Sequence, residues 1–170
     1  MTIIEFKAIY PPTSLKRHRH SKYGKHTYDP SSKEKSDFVS KIKTFIPPKP
    51  IEGPIKAILN FYEKRPKSHY RTGKLSELLK KNAPKINTSK RDIDNFVKFV
   101  LDALNKKMYL DDSQIFEIVC GKYYSDSEGY IECKFEEVNE IEDNVEVKNE
   151  KSDSSETTNL TNTNESSNIN

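Results

Sequence analysis

The stretch KRDIDNFVKFVLDALNKKMYLDDSQ, Lys90 to Gln114, carries the plainest structural pattern in the chain. Ile93, Phe96, Val97, Val100, Leu101 and Leu104 recur at i, i+3, i+4, i+7, i+8 and i+11, the spacing of a helix with one buried face. Two aspartates open the stretch around Ile93, and Asp111 and Asp112 close it side by side. If Asp92–Asp94 is extended, the period of two puts both carboxylates on one side and Ile93 on the other. One Asp suffices to cap a helix and meet its dipole, for about 0.5–2 kcal/mol. The second adds repulsion that capping leaves unexplained. Asp111 and Asp112 pose the same problem, because a turn before a strand uses only one of them. A helix followed by a short turn returns the chain toward the sheet, so both pairs are expected to converge at one edge. Convergent carboxylates repel unless a divalent cation lies between them, and hard oxygen ligands suit Mg2+ or Mn2+. Lys98, one turn after Asp94, reads either as an exposed i, i+4 ion pair or as an ammonium that neutralises charge developing on phosphorus.

Working outward, TIIEFKAI is expected to be a first strand, ended by Pro11-Pro12. The segment TSLKRHRHSKYGKHTYD follows. His18, His20 and His26 could ligate a metal, but no Cys or carboxylate cluster accompanies them, and phosphate contact by Arg17, Arg19 and Lys22 is the preferred reading. Ser31 and Glu34 resemble a capping box before a helix carrying Phe38, Val39, Ile42, Phe45 and Ile46. PIKAILNFYE alternates as a strand. Residues 64–91 hold ten Lys or Arg against Glu77 alone, a long basic loop with a short helix expected at KLSELLKK. After the central helix, QIFEIVCGKYY and YIECKFEEV read as two strands joined by SDSEG in a hairpin, which would bring Cys120 and Cys133 near each other. The order implies an α+β domain, a small mixed β-sheet covered by helices.

Composition narrows the partners. Residues 136–170 hold ten acidic and two basic residues; the other 135 hold sixteen acidic and twenty-seven basic, a net +11. A basic domain without an amphipathic apolar face points to nucleic acid rather than to a membrane. A metal in such a domain would meet phosphodiesters, and the chemistry implied is hydrolysis of a nucleic-acid backbone. The acidic, Asn/Ser/Thr-rich end is expected to be disordered, dividing the chain into a domain at 1–138 and a tail at 139–170. No window has the length of a membrane span, and MTIIEFKAIYPPTS is too polar for a signal peptide, so a soluble intracellular protein is expected. Two cysteines are too few for a disulfide scaffold and read as free thiols.

RDIDNFVKFVLDALNKKMYLDDSQI resembles the signature of the RusA family of Holliday junction resolvases, the crossover junction endodeoxyribonucleases, especially phage-type members. The likeness rests on D-x-D-N, a lysine four residues after the second Asp, L-D-A-L-N, and then D-D-S-Q. RPKSHYRTGK, APKINTSKRDIDN and KRHRHSKYGKHTYDPS extend it over roughly residues 3–138. The resemblance implies a homodimer that binds four-way junction DNA and nicks two strands of like polarity with Mg2+ or Mn2+, in recombination and repair. It places the essential, metal-binding carboxylates on Asp92, Asp94 and Asp112 and the helper lysine on Lys98, with Asp111 the less critical acid. Contacts to DNA are expected from Arg17, Arg19, Lys64, Arg65, Lys67, Arg71, Lys74, Lys90 and Arg91. Two other functions fit parts of the pattern. One is a non-catalytic basic DNA-binding module with a structural ion. The other is a sugar transferase using DID, for which the chain is too short and too basic.

Overall fold

The segment IKAILNFYEK puts Ile55, Ala57, Leu59 and Phe61 at alternate positions, and all four are 0% exposed. In the computed structural model, which describes residues 1–20, 24 and 26–139, this segment is the central strand of the sheet. In chain order the elements are β1 (Ile3–Ala8), β2 (Arg19–His20), β3 (Thr27–Tyr28), α1 (Ser32–Lys41), β4 (Ile55–Lys64), α2 (Ile93–Leu104), β5 (Ile115–Ser125) and β6 (Tyr130–Glu137). Four strands form one mixed sheet in the order β1-β6-β4-β5, and β2 and β3 form a separate two-stranded ribbon. The expected α+β class, a small mixed sheet with helices packed on it, is what the chain adopts.

β4 pairs antiparallel with β6 and parallel with β5. A parallel neighbour cannot be reached by a tight turn and needs a crossover, which α2 supplies. Phe96, Val97, Phe99, Val100, Ala103 and Leu104 bury its inner face. The Phe96 ring meets Phe61 of β4 at 5.4 Å between centroids. α1 packs beside α2 through Phe38, whose ring lies 5.9 Å from Phe99 and 5.4 Å from Tyr10. Lys35 ties the two helices from outside, its Nζ 2.7 Å from Asp29 and 3.2 Å from Asp102.

Several local expectations give way to this arrangement. β5 and β6 do not form a hairpin, because β4 lies between them. Cys120 and Cys133 both align with Leu59, so they sit two strand spacings apart, about 10 Å, and both are free thiols. The β5–β6 connection must instead cross the end of β4, and Gly129 makes room: a Cβ there would lie 3.2 Å from Pro11 Cα and 3.3 Å from Tyr62 O. Ser31 precedes α1 but caps nothing with its side chain; its hydroxyl accepts from the Lys16 amide at 2.9 Å, so the capping box with Glu34 is absent. α1 ends at Lys41, and a short 3-10 turn replaces its expected continuation to Ile46. KLSELLKK is not a helix either: a 3-10 turn at Gly73–Leu75 and an antiparallel bridge from Tyr70 to Leu79 fold the basic loop onto itself. The expected disordered tail lies outside the described residues, as does Lys22.

Because Phe96 is fully enclosed between α2 and β4, Phe96→Ala is expected to cost about 3–5 kcal/mol of stability. Urea unfolding followed by far-ultraviolet circular dichroism measures it, and a loss under 1 kcal/mol would show that the helix does not anchor on β4.

Candidate active site

α2 runs back along the sheet, so its first turn lies at the end where β4 finishes, and the residues after it lie where β5 begins. Asp92 is the N-cap residue of α2, with extended backbone, yet its side chain makes no capping hydrogen bond. Asp94 lies in the first turn and accepts from Lys98 Nζ at 2.9 Å; both side chains are exposed. The hydrogen bond and charge of Lys98 hold the Asp94 carboxyl below the ordinary carboxylate range.

The second acidic pair divides its work differently. Asp111 caps the short 3-10 turn Asp112–Gln114: its carboxylate accepts from the Ser113 amide at 3.0 Å, while the Gln114 side chain accepts from the Asp111 amide at 2.9 Å. Hydrogen bonds from Ser113 lower the Asp111 pKa. Gln114 also donates to the carbonyls of Ile51 and Gly53, both at 3.0 Å, fastening the turn beside the start of β4. The turn explanation considered for this pair therefore accounts for Asp111. Asp112 stays exposed and outside the cap.

The two pairs do not converge within one chain. Arg91 and Ser89 contact Lys122, seven residues beyond the start of β5, whereas Asp112 opens the turn Asp112–Gln114 that leads into that start. Seven strand residues span about 23 Å, and twelve helical residues about 18 Å. Among the described residues, no group of three or more His, Cys, Asp or Glu side chains is placed to hold a metal. A single chain therefore does not assemble the three-carboxylate site expected from the sequence.

Around Asp92 the chain builds a polar support that sequence reading missed. Glu63, at the end of β4, keeps only 13% of its side chain exposed and accepts from Arg91 at 2.8 Å, from Ser89 Oγ at 3.2 Å, and from Asn87. Lys122 Nζ donates to the carbonyls of Ser89, at 2.9 Å, and Arg91. Together these groups fix the backbone leading into Asp92. Glu63 occupies the inward phase of β4 that Ile55, Ala57, Leu59 and Phe61 fill before it, so an acid at an apolar position is the signal the sequence offered; the closeness of Asn87–Arg91 in space shows what it serves.

Part of the basic set gathers at the same end. Lys64, Lys67 and Arg71, with Tyr70, line an open cavity of about 960 Å3 beside the end of β4. Lys74, Lys90 and Arg91 are exposed nearby in the chain, and Arg17 and Arg19 are exposed at the β2–β3 ribbon. Arg65 differs from the others. Its side chain is buried, and its guanidinium donates to Asp126 and to the Pro84 carbonyl. The geometry makes it a pin holding the basic loop and the β5–β6 crossing to the end of β4, rather than a phosphate contact. Of the three histidines in the segment before Pro30, His20 shares a 3.1 Å hydrogen bond with Thr27 across the ribbon.

Residues 10–136 match the endodeoxyribonuclease RusA family, and the chain belongs to it. Membership makes the protein an endodeoxyribonuclease, a hydrolase of the Holliday junction resolvase class, with junction DNA as the implied substrate. The chain is also 35% identical over 142 residues to the uncharacterized protein YqaN of Bacillus subtilis (strain 168), a match covering 81% of this chain and 99% of that one. No described helix is long and apolar enough to cross a membrane.

Two measurements check this geometry. In Lys98→Met the Asp94 carboxyl is expected to titrate at higher pH, readable by carboxyl-detected NMR. Because its folded pKa is depressed, the pair stabilises the fold above the unfolded pKa and loses that contribution as pH falls through the folded value. An unchanged titration would mean that the pair does not form in solution. Arg65→Met is expected to speed proteolysis between residues 66 and 84 by unpinning the loop; a digestion rate equal to wild type would remove the structural role assigned to it.

Proposed function

We propose that the protein is a divalent-metal-dependent junction endonuclease that acts as a homodimer and cuts two strands in paired fashion during recombination and repair. The observation that carries this reading is the placement of Asp92, Asp94 and Lys98 at the same end of the fold as the exposed basic loop. A duplex arm held by Lys64, Lys67, Arg71 and Lys74 through its phosphates would pass over that end, and base-independent contacts of this kind suit recognition of a branched shape.

Asp92 and Asp94 supply two carboxylates of the proposed metal site, and Asp112 of a second copy supplies the third. Two copies are needed because α2 holds Asp112 of the same chain at the far end. Mg2+ or Mn2+ held by such a donor set would supply Lewis-acid polarisation of the phosphoryl group and activation of the attacking water. Lys98 is already within hydrogen-bond reach of Asp94, and exchanging that partner for a phosphate oxygen lets it neutralise charge developing on phosphorus. Two sites related by a two-fold axis match a pair of symmetric nicks on a four-way junction.

Asp94→Asn and Asp112→Asn are each expected to abolish nicking of a synthetic four-way junction in Mg2+ while retaining junction binding. Mixing the two variants restores cutting, because a hybrid dimer contains one site with all its acids. Undiminished cleavage by Asp94→Asn alone would falsify the assignment. Junction affinity is also expected to fall steeply with salt as phosphate counterions are displaced; a flat dependence between 50 and 200 mM salt, roughly the range over which such binding collapses, would exclude the basic loop as the contact surface.

A further inference from the structure

Asp112 opens an exposed three-residue 3-10 turn, and a turn that short holds its shape weakly by itself. Two backbone hydrogen bonds close it: Gln114 N donates to Asp111 O at 3.2 Å, and Ile115 N donates to Asp112 O. The capping box adds the bonds of Asp111 with Ser113 and Gln114. That box needs only the side-chain oxygen of Gln114, and Glu or Gln fills such a position equally well. The amide nitrogen of Gln114 serves a different end. It donates to Ile51 O and Gly53 O, both at 3.0 Å, 63 and 61 residues back along the chain.

The receiving segment is itself anchored. Ile51 is 4% exposed; its N–H donates to Met108 O at 2.9 Å, and its carbonyl also accepts from Leu110 N at 3.3 Å. Tyr109, between those two residues, is fully buried and donates its hydroxyl to Leu101 O of α2 at 2.8 Å. Gly53 N donates to Glu137 Oε1 at 3.2 Å, at the end of β6, and a Cβ on residue 53 would lie 2.9 Å from that oxygen. Hydrogen bonds from Thr2 and Gly53 hold the Glu137 carboxyl below the ordinary carboxylate range. Through these groups Gln114 ties an exposed turn to both α2 and β6.

We infer that Gln114 is a positioning residue for Asp112: its amide nitrogen straps the turn to Ile51 and Gly53 and so sets where the Asp112 carboxylate meets a divalent cation. This rests on the metal-site reading above. A glutamate at this position would keep the capping box and lose the strap. Its carboxylate has no hydrogen to give, and it would face two carbonyl oxygens beside Asp111 and Asp112. The strap, and not the cap, therefore accounts for an amide here. A carboxylate ligand whose supporting hydrogen bonds are cut binds its metal about 10- to 100-fold more weakly.

Mn2+ binding to the full chain, counted from the electron paramagnetic resonance signal of free Mn2+, reads the positioning without turnover. In Gln114→Glu the Mn2+ affinity is expected to fall, and the Mg2+ concentration for half-maximal junction nicking to rise, each by about 10- to 100-fold. Circular dichroism and metal-free junction affinity are expected to match wild type. A purely structural glutamine would instead lower the unfolding temperature and leave the metal affinity of the folded chain alone. Wild-type Mn2+ affinity in a folded Gln114→Glu overturns the inference. Should that variant lose the wild-type circular dichroism, Glu137→Ala decides. It frees Gly53 without touching the turn and is expected to weaken Mn2+ binding by a smaller factor; unchanged binding there overturns the inference as well. Asp112→Asn keeps the two readings apart. Lost nicking in Asp112→Asn with unchanged Mn2+ binding in Gln114→Glu sinks the strap alone, whereas normal nicking in Asp112→Asn sinks the metal-site reading, whatever Gln114 does.

Discussion

The parallel pairing of β4 with β5 is the constraint from which most of this structure follows. Two parallel strands begin at the same end of the sheet, so the chain must travel back along its full length between them. α2 makes that return, and its apolar stripe is buried because the return path lies against the face of β4 that presents Phe61. The residues before α2 and those after it are consequently held at opposite ends. The position of every acid in the Lys90–Gln114 stretch is a consequence of that single pairing.

The pairing also explains why so much polar structure is concentrated at one end of the molecule. Where β4 finishes, the chain must leave the sheet, carry a 28-residue basic segment (residues 64–91) to the start of α2, and admit the β5–β6 connection across the same spot. Arg65 fastens that crowded junction by reaching both Asp126 and the Pro84 carbonyl. Glu63 does the same for Asn87, Ser89 and Arg91. Lys64 and Arg91 are exposed yet paired, with Glu128 and Glu63; among the described residues Lys67, Arg71 and Lys74 are exposed with no side-chain partner, which leaves them available to phosphate.

Much of the fold was legible because burial imposes a period. The 3.6-residue stripe of α2 and the alternation in β4 and β6 survive inspection of the sequence alone, as do β1 and the class of the domain. The hairpin was misread for a physical reason: adjacent strands with a short connection usually pair, and nothing in SDSEG reveals that a third strand will insert between them. KLSELLKK has helical composition, but the bridge from Tyr70 to Leu79 satisfies its backbone differently. Ser31 carries a capping signature whose hydroxyl the Lys16 amide takes instead.

The candidate site divides along the same line. The sequence by itself determined which residue types stand together: the two acidic pairs, the lysine one turn after Asp94, the basic loop, and the family motif that they compose. Those are local facts, set by spacing of a few residues. Only the tertiary structure decided that Arg65 is a buried pin, that Glu63 supports Asp92, and that the two acidic pairs face opposite ends of the sheet. Each of these depends on which strand lies beside β4, and strand order is chosen by how buried surfaces from distant segments pack, which a linear pattern does not record.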